Sequence, residues 1–562
     1  LEAGETRAEV PLRVTVFGFA LPDRMTCTSA FGFSPNMVFA YQKLATPEEK
    51  RAVLERYWAN FAAHRISPYD PAPIDPFTVT WPALGEWTGN GIRDRSEKFA
   101  GESALLIEDT NPTSAREHTY AKHLAIPTQG FHVRFMYKTR ESGQHIIATL
   151  THFDKDGTWM KGRNNDIVLR GDGTWQVFDR AIAEFPDGAS SIQLTLRPIL
   201  WADDGSTMGA AWFDNVSIQD AVTGEELVSG GEFEPIDPEA LVPSFDWTAW
   251  DAAMTRAMDM YHFNSFRLPI QGMGGGTFHE RWEPSLLGYG ENTPEYQAAF
   301  RGYCQTLQEH LRDKGWLPYS YVYWFDEPEP RDYEFVMNGF HRLKDAAPDL
   351  PRMLTEQVEP ALAGGPNIWC PLTPAYSMEA ADARRAEGDR FWWYVCCGPK
   401  EPYCTLFLDH PAVELRVWLW QTWQRKIEGI LVWETNYWNS RPAYPDPNRP
   451  QNPYEDTMSW TDGYGTPPGT KLPWGNGDGR FIYPPESAAD GRPAEPVLEG
   501  PVDSIRWEML RDGIEDYEYL AILRRMLDER DPELPSEKRA AYRALLEVPA
   551  DITSDLTTFT RA

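Results

Sequence analysis

The fold is decided by the segment Tyr321-Val-Tyr-Trp-Phe-Asp-Glu-Pro328, an apolar, strand-forming run that ends in two adjacent carboxylates and a proline. Proline has no amide hydrogen to donate to a sheet, so we expect the strand to stop there. In barrels built from repeated strand–helix units, active-site residues sit at the carboxyl ends of the strands. Asp326 and Glu327 are therefore predicted to lie at the mouth of a parallel barrel.

Strand and helix patterns alternate on both sides of this segment. Downstream of residue 244, strands are predicted at 262–269, 317–325, 352–356, 367–371, 391–396 and 429–434, and helices at 247–261, 293–314, 333–346, 377–387, 411–426 and 512–525. Near the start, Leu12–Phe19 predicts a strand and Thr46–Trp58 a helix with Thr46 as its N-cap. Together they make about eight units, which predicts an α/β fold of the (β/α)8, TIM-like barrel type.

A second pattern interrupts these units. Short alternating strands separated by turn residues fill residues 77–230, which is typical of a β-sandwich. We therefore predict a first β/α unit at 1–75, an inserted jelly-roll sandwich at 76–230 that resembles carbohydrate-binding modules, and the rest of the barrel at 231–562. Residues 436–500 form a predicted long loop in the active site.

Composition excludes some partners. The 562 residues carry a net charge of −31, which argues against nucleic acid and anionic membranes. No apolar run is long enough to span a bilayer. The 23 tryptophans fit either a sugar-binding protein or a large aromatic core. No signal peptide is present, so the protein is secreted or periplasmic if a leader was removed, and otherwise cytoplasmic.

Cysteine spacing matches neither a disulfide scaffold nor a zinc site. Free thiols are favoured over a bridge from Cys396 or Cys397 to Cys404. The chain also contains no H-E-x-x-H metal motif and no G-x-S-x-G elbow. The Gly-rich run Gly272–Thr277 has no phosphate-binding spacing, and the adjacent His279 is predicted to be a surface or loop residue.

Two adjacent carboxylates suit one form of glycoside hydrolysis. That reaction needs an acid for the leaving oxygen and a group that stabilises positive charge on the anomeric carbon. Neighbours in sequence cannot easily flank the bond as acid and nucleophile, but they can serve a reaction in which the sugar's own 2-acetamido group attacks. A bare pair proves nothing, because Asp528-Glu529 occurs in a terminal helix without an evident role.

Five motifs in order resemble the catalytic domain of glycoside hydrolase family 123 over residues 244–530. They are Phe325-Asp-Glu-Pro328, Phe391-Trp-Trp-Tyr-Val-Cys-Cys-Gly-Pro399, Gly429-Ile-Leu-Val-Trp-Glu-Thr-Asn-Tyr-Trp438, Gly475-Asn-Gly-Asp-Gly-Arg-Phe-Ile-Tyr-Pro484 and Ser504-Ile-Arg-Trp-Glu-Met-Leu-Arg-Asp-Gly-Ile-Glu-Asp-Tyr-Glu518. The sandwich of that family typically precedes the barrel, whereas here it is predicted to interrupt it.

The resemblance implies a retaining β-N-acetylgalactosaminidase that acts on glycans or glycoconjugates ending in β-N-acetylhexosamine, without a catalytic cofactor. Asp326 would stabilise the oxazolinium, Glu327 would be the acid/base, and Tyr394 would donate its phenol to the acetamido oxygen unless it is a core tyrosine. The alternatives are a β-N-acetylglucosaminidase, a glycosidase with Glu434 or another carboxylate as direct nucleophile, and a non-catalytic sugar-binding protein. The exact sugar, the linkage and the oligomeric state stay open.

Further candidates lie at predicted strand ends. Each has core packing or an ion pair as its alternative. The predicted substrate-binding residues are Trp324, Trp393, Trp433, Glu434, Asn436, Trp438 and Arg267. No catalytic metal is expected, and Asp214 in the last sandwich strand is a candidate ligand for a structural calcium ion.

Overall fold

A seven-stranded parallel sheet forms the centre of the larger structural unit. The computed structural model describes residues 11, 13–110, 116–200, 208–276, 281–439, 450–457, 476–530 and 533–561, and the backbone of Glu2–Ala3 and Thr6–Arg7. The strands are β1 (Thr28–Phe31), β2 (Phe266–Arg267), β3 (Ser320–Asp326), β4 (Arg352–Thr355), β5 (Ile368–Trp369), β6 (Arg390–Tyr394) and β7 (Gly429–Val432). Their order in the sheet is β2-β3-β4-β5-β6-β7-β1.

Residues Ser67–Tyr69 join the two edges of this sheet. On the β1 side, the Phe31 amide donates to Ser67 O at 3.0 Å, and the Tyr69 amide donates to Phe31 O at 2.7 Å. On the β2 side, the Arg267 amide donates to Tyr69 O at 2.8 Å. The seven strands and this segment therefore form a closed ring of backbone hydrogen bonds.

A buried polar network holds the ring together at this junction. The Asn264 side chain accepts from the Ser29 amide at 3.1 Å and from the Ser67 hydroxyl at 3.0 Å. Its Nδ2 donates to the carbonyls of Met25 and Cys27 at 3.1 and 2.8 Å. Paired buried amides of this kind fix the relative position of the chain segments that they connect, because every lost bond leaves a desolvated polar group.

Helices cover the outside of the ring. They are α1 (Pro35–Tyr41), α2 (Pro47–Ala63), α3 (Thr248–Thr255, continued by a π-helical turn at Arg256–Met260), α4 (Pro294–Asp313), α5 (Tyr333–Ala346), α6 (Met378–Ala386), α7 (Val413–Gln424), α8 (Ile505–Arg530) and α9 (Ser536–Ala544). The sequence predicted where α2 begins, since Thr46 caps it through a capping box with Glu49.

Two apolar clusters show the inside and outside of the ring. The inner cluster contains alternate residues of successive strands, namely Ala30, Tyr69, Tyr321, Met353, Ile368, Cys370, Trp392, Tyr394 and Leu431. The outer cluster lies between strands and helices and contains their neighbours, such as Phe391 and Trp393. This alternation follows from the two-residue period of a strand.

Residues 78–246, which we call the interposed region, lie between Tyr69 and β2 and form antiparallel sheets. One has the strands Gln176–Ile182, Phe131–Thr139, Gly209–Asp220, Ala104–Asp109 and Ile92–Asp94. The other has Asn165–Arg170, His145–Phe153, Ser191–Arg197, His118–Tyr120 and Trp87–Gly89, with Leu124–Ala125 beside Ser191–Arg197. Side chains of both sheets share one buried cluster that includes Phe135, Leu150 and Phe213.

Short strands complete the structure. Thr78–Thr80 pairs antiparallel with Ser244–Asp246, so the two ends of the interposed region lie side by side. The other pairs are Glu2–Ala3 with Thr6–Arg7, Ser285–Leu286 with Tyr289–Gly290, and Ile482–Tyr483 with Val502–Asp503.

Two sequence-based strand predictions need correction. The described part of Leu12–Phe19 is not a strand, and β1 is instead Thr28–Phe31. Residues 13–19 are exposed, although the rings of Phe17 and Phe19 contact Tyr519. The strand predicted at 262–269 shortens to Phe266–Arg267. The predicted domain boundaries stay predictions.

Two further expectations concern the state of the cysteines and the presence of a membrane-spanning helix. The six cysteines form no disulfide bond with one another, and the sulfur atoms of Cys396 and Cys397 lie 3.8 Å apart. In the part of the chain that the structure describes, no helix combines the length and apolarity needed to cross a membrane.

We expect Asn264→Ala to lower the free energy of unfolding by about 3–5 kcal/mol, since it leaves several buried groups at the ring junction unpaired. The melting temperature and the urea midpoint measure this loss. Asn338→Ala, which truncates an exposed asparagine on α5, should stay within about 0.5 kcal/mol of the parent. Equal stability of the two variants would contradict the junction's role.

Candidate active site

A β-bulge in β3 turns Asp326 toward the inside of the ring. Tyr323 lies opposite Met353 and Asp326 opposite Thr355, so β3 has one residue more than β4 over this interval. Phe325 consequently packs outward against Phe340, with 5.1 Å between ring centroids. A bulge shifts the in–out phase of a strand by one residue, which is how Tyr323 and Asp326 come to face each other.

Two hydroxyl groups hold the Asp326 carboxylate. Tyr323 donates to Asp326 Oδ1 at 2.6 Å, and the Thr355 hydroxyl donates to the same oxygen at 2.7 Å. Among the described residues, no hydrogen bond to Oδ2 is found. The arrangement fixes the carboxylate by one oxygen and leaves the other available to a ligand.

Glu327 follows with a strained backbone. Its φ of 39° lies in the left-handed region, where residues other than glycine are uncommon and which costs about 1–3 kcal/mol. Its amide donates to the Thr355 hydroxyl at 3.1 Å, and its Oε1 accepts the phenol of Tyr394. The strain is held by these contacts and turns the Glu327 side chain toward β6.

Tyr394 and Tyr323 remain hydrogen-bond donors at neutral pH. Burial raises the pKa of Tyr394 far above its usual value, and the adjacent Glu327 carboxylate raises it further. Burial and Asp326 likewise raise the pKa of Tyr323. Each carboxylate of the adjacent pair is thus in contact with a protonated phenol.

A third carboxyl group, Glu356, lies at the same end of the ring. It follows β4 directly, and burial, with smaller contributions from Glu359 and Glu327, raises its pKa to about 7. Sequence reasoning missed Glu356. The signal was available, because Thr355-Glu356 ends a strand just as Asp326-Glu327 does.

The end of β7 contributes another acidic group and an aromatic one. Glu434 Oε1 accepts the amides of Thr435 and Asn436 at 2.9 and 3.4 Å, and burial raises the pKa of this carboxyl group to about 7. The half-buried Trp433 donates its indole N–H to Asp478 at 2.9 Å. Burial also raises the pKa of Asp478 to about 7.

Residues 252–523 match the family described as "Glycoside hydrolase 123, catalytic domain". The chain contains a catalytic domain of glycoside hydrolase family 123. It is accordingly a glycoside hydrolase, and the carboxylates and Tyr394 described above all lie within the matched residues. The recognition made from the sequence motifs is confirmed.

Solved structures add weaker similarities. A family 123 glycoside hydrolase from Clostridium perfringens, studied for glycolipid glycan hydrolysis, is 10% identical over 77% of this chain and 85% of its own, with a TM-score of 0.35. A family 22 carbohydrate-binding module of Clostridium thermocellum Xyn10B is 15% identical over 25% of this chain and 89% of its own, with a TM-score of 0.20. At such TM-scores they carry no argument. No curated protein matches the sequence.

Three residues predicted to bind substrate are buried and hydrogen-bonded within the protein. Trp393 is fully buried and donates to the Thr422 hydroxyl on α7 at 3.0 Å, because its neighbour Tyr394 faces inward and adjacent side chains alternate. Trp438 is fully buried and donates to Ile482 O at 2.7 Å. Asn436 is buried with its amide paired to the Ser34 backbone.

Two predicted residues do come together beside the mouth. Trp324 and Arg267 line a common cavity of about 290 Å³ with Asp70 and Gln271. The Trp324 indole donates to Gly274 O at 3.1 Å, and the Arg267 guanidinium lies 5.3 Å from the centre of the Tyr69 ring. Substrate contact by Trp324, Arg267, Trp433 and Glu434 stays a prediction.

Two remaining expectations concern other parts of the chain. Asp214 accepts backbone amides from Phe99, Ala100 and Asn215 at 2.9, 3.0 and 2.7 Å, so it anchors a loop of the interposed region. Calcium binding there stays a prediction. His279 and Gly475 lie outside the described residues.

We expect Trp393→Phe to lower the free energy of unfolding by about 1–3 kcal/mol, through the lost hydrogen bond and the volume left empty, without changing KM. Trp324→Phe should raise KM and leave stability within about 0.5 kcal/mol. Thermal melting and Michaelis–Menten kinetics measure both. A raised KM in a fully folded Trp393→Phe enzyme would contradict this prediction and indicate that Trp393 contacts the sugar.

Asp478→Asn should change the pH dependence of stability. The pKa of Asp478 is raised in the folded state, so its stabilising effect is complete below about pH 4 and is lost as the pH rises through about 7. Relative to the parent, the variant should gain on the order of 4 kcal/mol between pH 4 and pH 8, since folding raises the pKa of Asp478 from 3.8 to about 7 and each pKa unit corresponds to about 1.4 kcal/mol. Melting temperatures at both pH values test this, with the exposed Asp528→Asn as control. A constant difference between variant and parent contradicts it.

Proposed function

We propose that the protein is a retaining exo-glycosidase that removes terminal β-linked N-acetylgalactosamine from glycans or glycoconjugates by substrate-assisted catalysis. The observation that carries the proposal is the placement of Asp326 and Glu327 at the carboxyl end of the ring, where each accepts a hydrogen bond from a tyrosine phenol. The family 123 match supports the reaction class, and the choice of sugar rests on the motifs. No catalytic cofactor is required.

In the first step, the acetamido carbonyl oxygen of the sugar attacks the anomeric carbon. The bond from that carbon to the glycosidic oxygen breaks, and an oxazolinium ion forms. Asp326 Oδ2 accepts the acetamido N–H and stabilises the positive charge, since Oδ1 is already held by Tyr323 and Thr355. Glu327 gives its proton to the departing oxygen.

In the second step, Glu327 removes a proton from water, and the water oxygen attacks the anomeric carbon. The oxazolinium ring opens and restores the acetamido group, so the sugar leaves with its original configuration. The Tyr394 phenol, which bonds Glu327 in the free enzyme, donates to the acetamido oxygen once the sugar is bound. Its high pKa keeps it a donor in both states.

Chain geometry favours this mechanism over direct displacement. A retaining pair with a direct nucleophile places its carboxyl groups on opposite sides of the bond, about 5–5.5 Å apart. Asp326 and Glu327 are covalent neighbours on one strand end. Glu434 is the rival nucleophile, but its Oε1 accepts two local amides and burial raises its pKa to about 7, which suits a proton donor better.

We also propose an assignment of the two structural units to known architectures. The ring of seven strands and Ser67–Tyr69 is the core of a (β/α)8 barrel, and the sheets of the interposed region are a jelly-roll sandwich. The hydrogen bonds across both edges of Ser67–Tyr69 support the first assignment. The shared buried cluster between the antiparallel sheets supports the second.

Nitrophenyl β-glycosides of GalNAc, GlcNAc, galactose and glucose, assayed in parallel, test the substrate. We expect cleavage of the GalNAc glycoside above all others and inhibition by a GalNAc thiazoline, which mimics the oxazolinium ion. Cleavage confined to sugars without the acetamido group would rule out substrate assistance. Preference for GlcNAc would keep the mechanism and change the sugar.

The two carboxylates should respond differently to mutation. Asp326→Asn should lower kcat by about 100-fold or more with every leaving group, because it removes charge stabilisation. Glu327→Gln should lose about 100- to 10,000-fold with poor leaving groups and much less with 2,4-dinitrophenol. The adjacent pair Asp528→Asn and Glu529→Gln on α8 is the matched control. Turnover equal to that of the parent in both site variants would contradict the catalytic roles proposed for Asp326 and Glu327.

A further inference from the structure

A histidine and two carboxylates converge on the outer side of the ring, away from the active site. His64 ends α2, Asp503 ends the strand Val502–Asp503, and Glu508 lies in the first turn of α8. One ligand atom from each lies within 4.8 Å of the others. His64 is buried, and the two carboxylates are about one-third exposed.

The histidine presents a defined nitrogen to the carboxylates. Its Nδ1 lies 2.8 Å from Asn60 O, which can only accept, so Nδ1 carries the hydrogen. Nε2 therefore faces Glu508 Oε1 at 3.3 Å and Asp503 Oδ2 at 3.7 Å. The three ligand atoms thus face one another, an arrangement that a cation between them would stabilise.

The distances are compatible with ligands arranged around a shared ion. Direct pairs of histidine with a carboxylate in this protein range from 2.8 Å, at His310–Asp251 and His132–Asp179, to 3.3 Å at His410–Glu414. Metal–nitrogen and metal–oxygen bonds of 2.0–2.1 Å in a tetrahedral zinc site place neighbouring ligand atoms about 3.3–3.4 Å apart. The Nε2–Oε1 distance matches that edge, and Asp503 Oδ2, at 3.7 Å from Nε2, would move inward to complete the site.

Neighbouring side chains and a backbone carbonyl also fix the orientation of each proposed ligand. Asn60 O fixes the His64 ring, and Asn60 Nδ2 donates to Asp503 Oδ1 at 2.6 Å. The Trp507 indole fixes the orientation of the Asn60 amide with a bond of 2.9 Å. Arg511 holds Glu508 Oε2 at 2.6 Å. Such outer-shell partners are typical of metal sites, because they orient the ligands.

We propose that His64, Asp503 and Glu508 bind a divalent transition-metal ion of the zinc class, with a fourth position open to water. An imidazole with two carboxylates suits Zn²⁺, Mn²⁺ or Co²⁺ better than Ca²⁺, which prefers oxygen ligands alone. The ion connects the end of α2 with the start of α8, two segments more than 400 residues apart in sequence. Its role is structural, and it does not depend on the proposed reaction.

The full-length protein, stripped with a chelator and dialysed, tests the site. Titration calorimetry with Zn²⁺ and elemental analysis should show one ion per chain, and Co²⁺ should give the visible absorption of a low-coordinate site. Asp503→Asn and Glu508→Gln should each weaken Zn²⁺ binding by more than the 10- to 100-fold typical of an outer-shell loss. Zn²⁺ should raise the melting temperature of the parent but not of these variants.

Glu515→Gln is the matched control, since it removes a carboxylate from the same helix that pairs with Arg65 at 3.3 Å. It should bind Zn²⁺ like the parent. Both ligand variants preserve side-chain shape, and glycosidase activity within twofold of the parent shows that they fold. If the parent binds no stoichiometric Zn²⁺, or if either ligand variant binds it as tightly as the parent, the proposal fails and the three side chains contact one another only directly.

Discussion

Closure of the strand ring through Ser67–Tyr69 is the constraint on which the rest of the molecule depends. The groups of the candidate active site lie on the ends of β3, β4, β6 and β7, and their separation is set by the curvature of a closed sheet. The backbone of Ser67–Tyr69 supplies hydrogen bonds to both edges, and Asn264 links the segments that meet there. A buried amide with several partners tolerates little displacement, so the ring keeps one register.

Within that ring, the in–out alternation of residues along each strand decides which side chains face the interior. In β6 the phase is regular, so Tyr394 turns inward while Trp393 joins the helices. In β3 the bulge changes the phase, which moves Phe325 outward and brings Asp326 beside Tyr323. The strained backbone of Glu327 then turns the next residue toward Tyr394. One extra residue in a strand and one left-handed residue after it thus assemble the site.

The sequence alone located the parts of this arrangement that depend on local patterns. The run that ends at Pro328, the N-cap at Thr46 and the helix at 333–346 are local signals, and the corresponding elements lie where they were predicted. The sequence alone could not predict the features that depend on packing between distant segments. Trp393, Trp433 and Trp438 look alike as aromatic residues near strand ends, but only Trp433 keeps an accessible face. Leu12–Phe19 has the composition of a strand, but its described residues 13–19 pair with no other strand among those that the structure describes, and β-propensity depends on such a neighbour.

The pairing of Thr78–Thr80 with Ser244–Asp246 lowers the loss of conformational entropy that ring closure requires. Tyr69 and Arg267 must come together across almost 200 residues, which in an unstructured loop would be a slow search. With its two ends fastened side by side, the interposed region acts topologically as a short turn, however large it is. The two ends of this region therefore enter and leave the barrel-like sheet at one place, so its size can vary without changing the ring closure that positions Asp326 and Glu327.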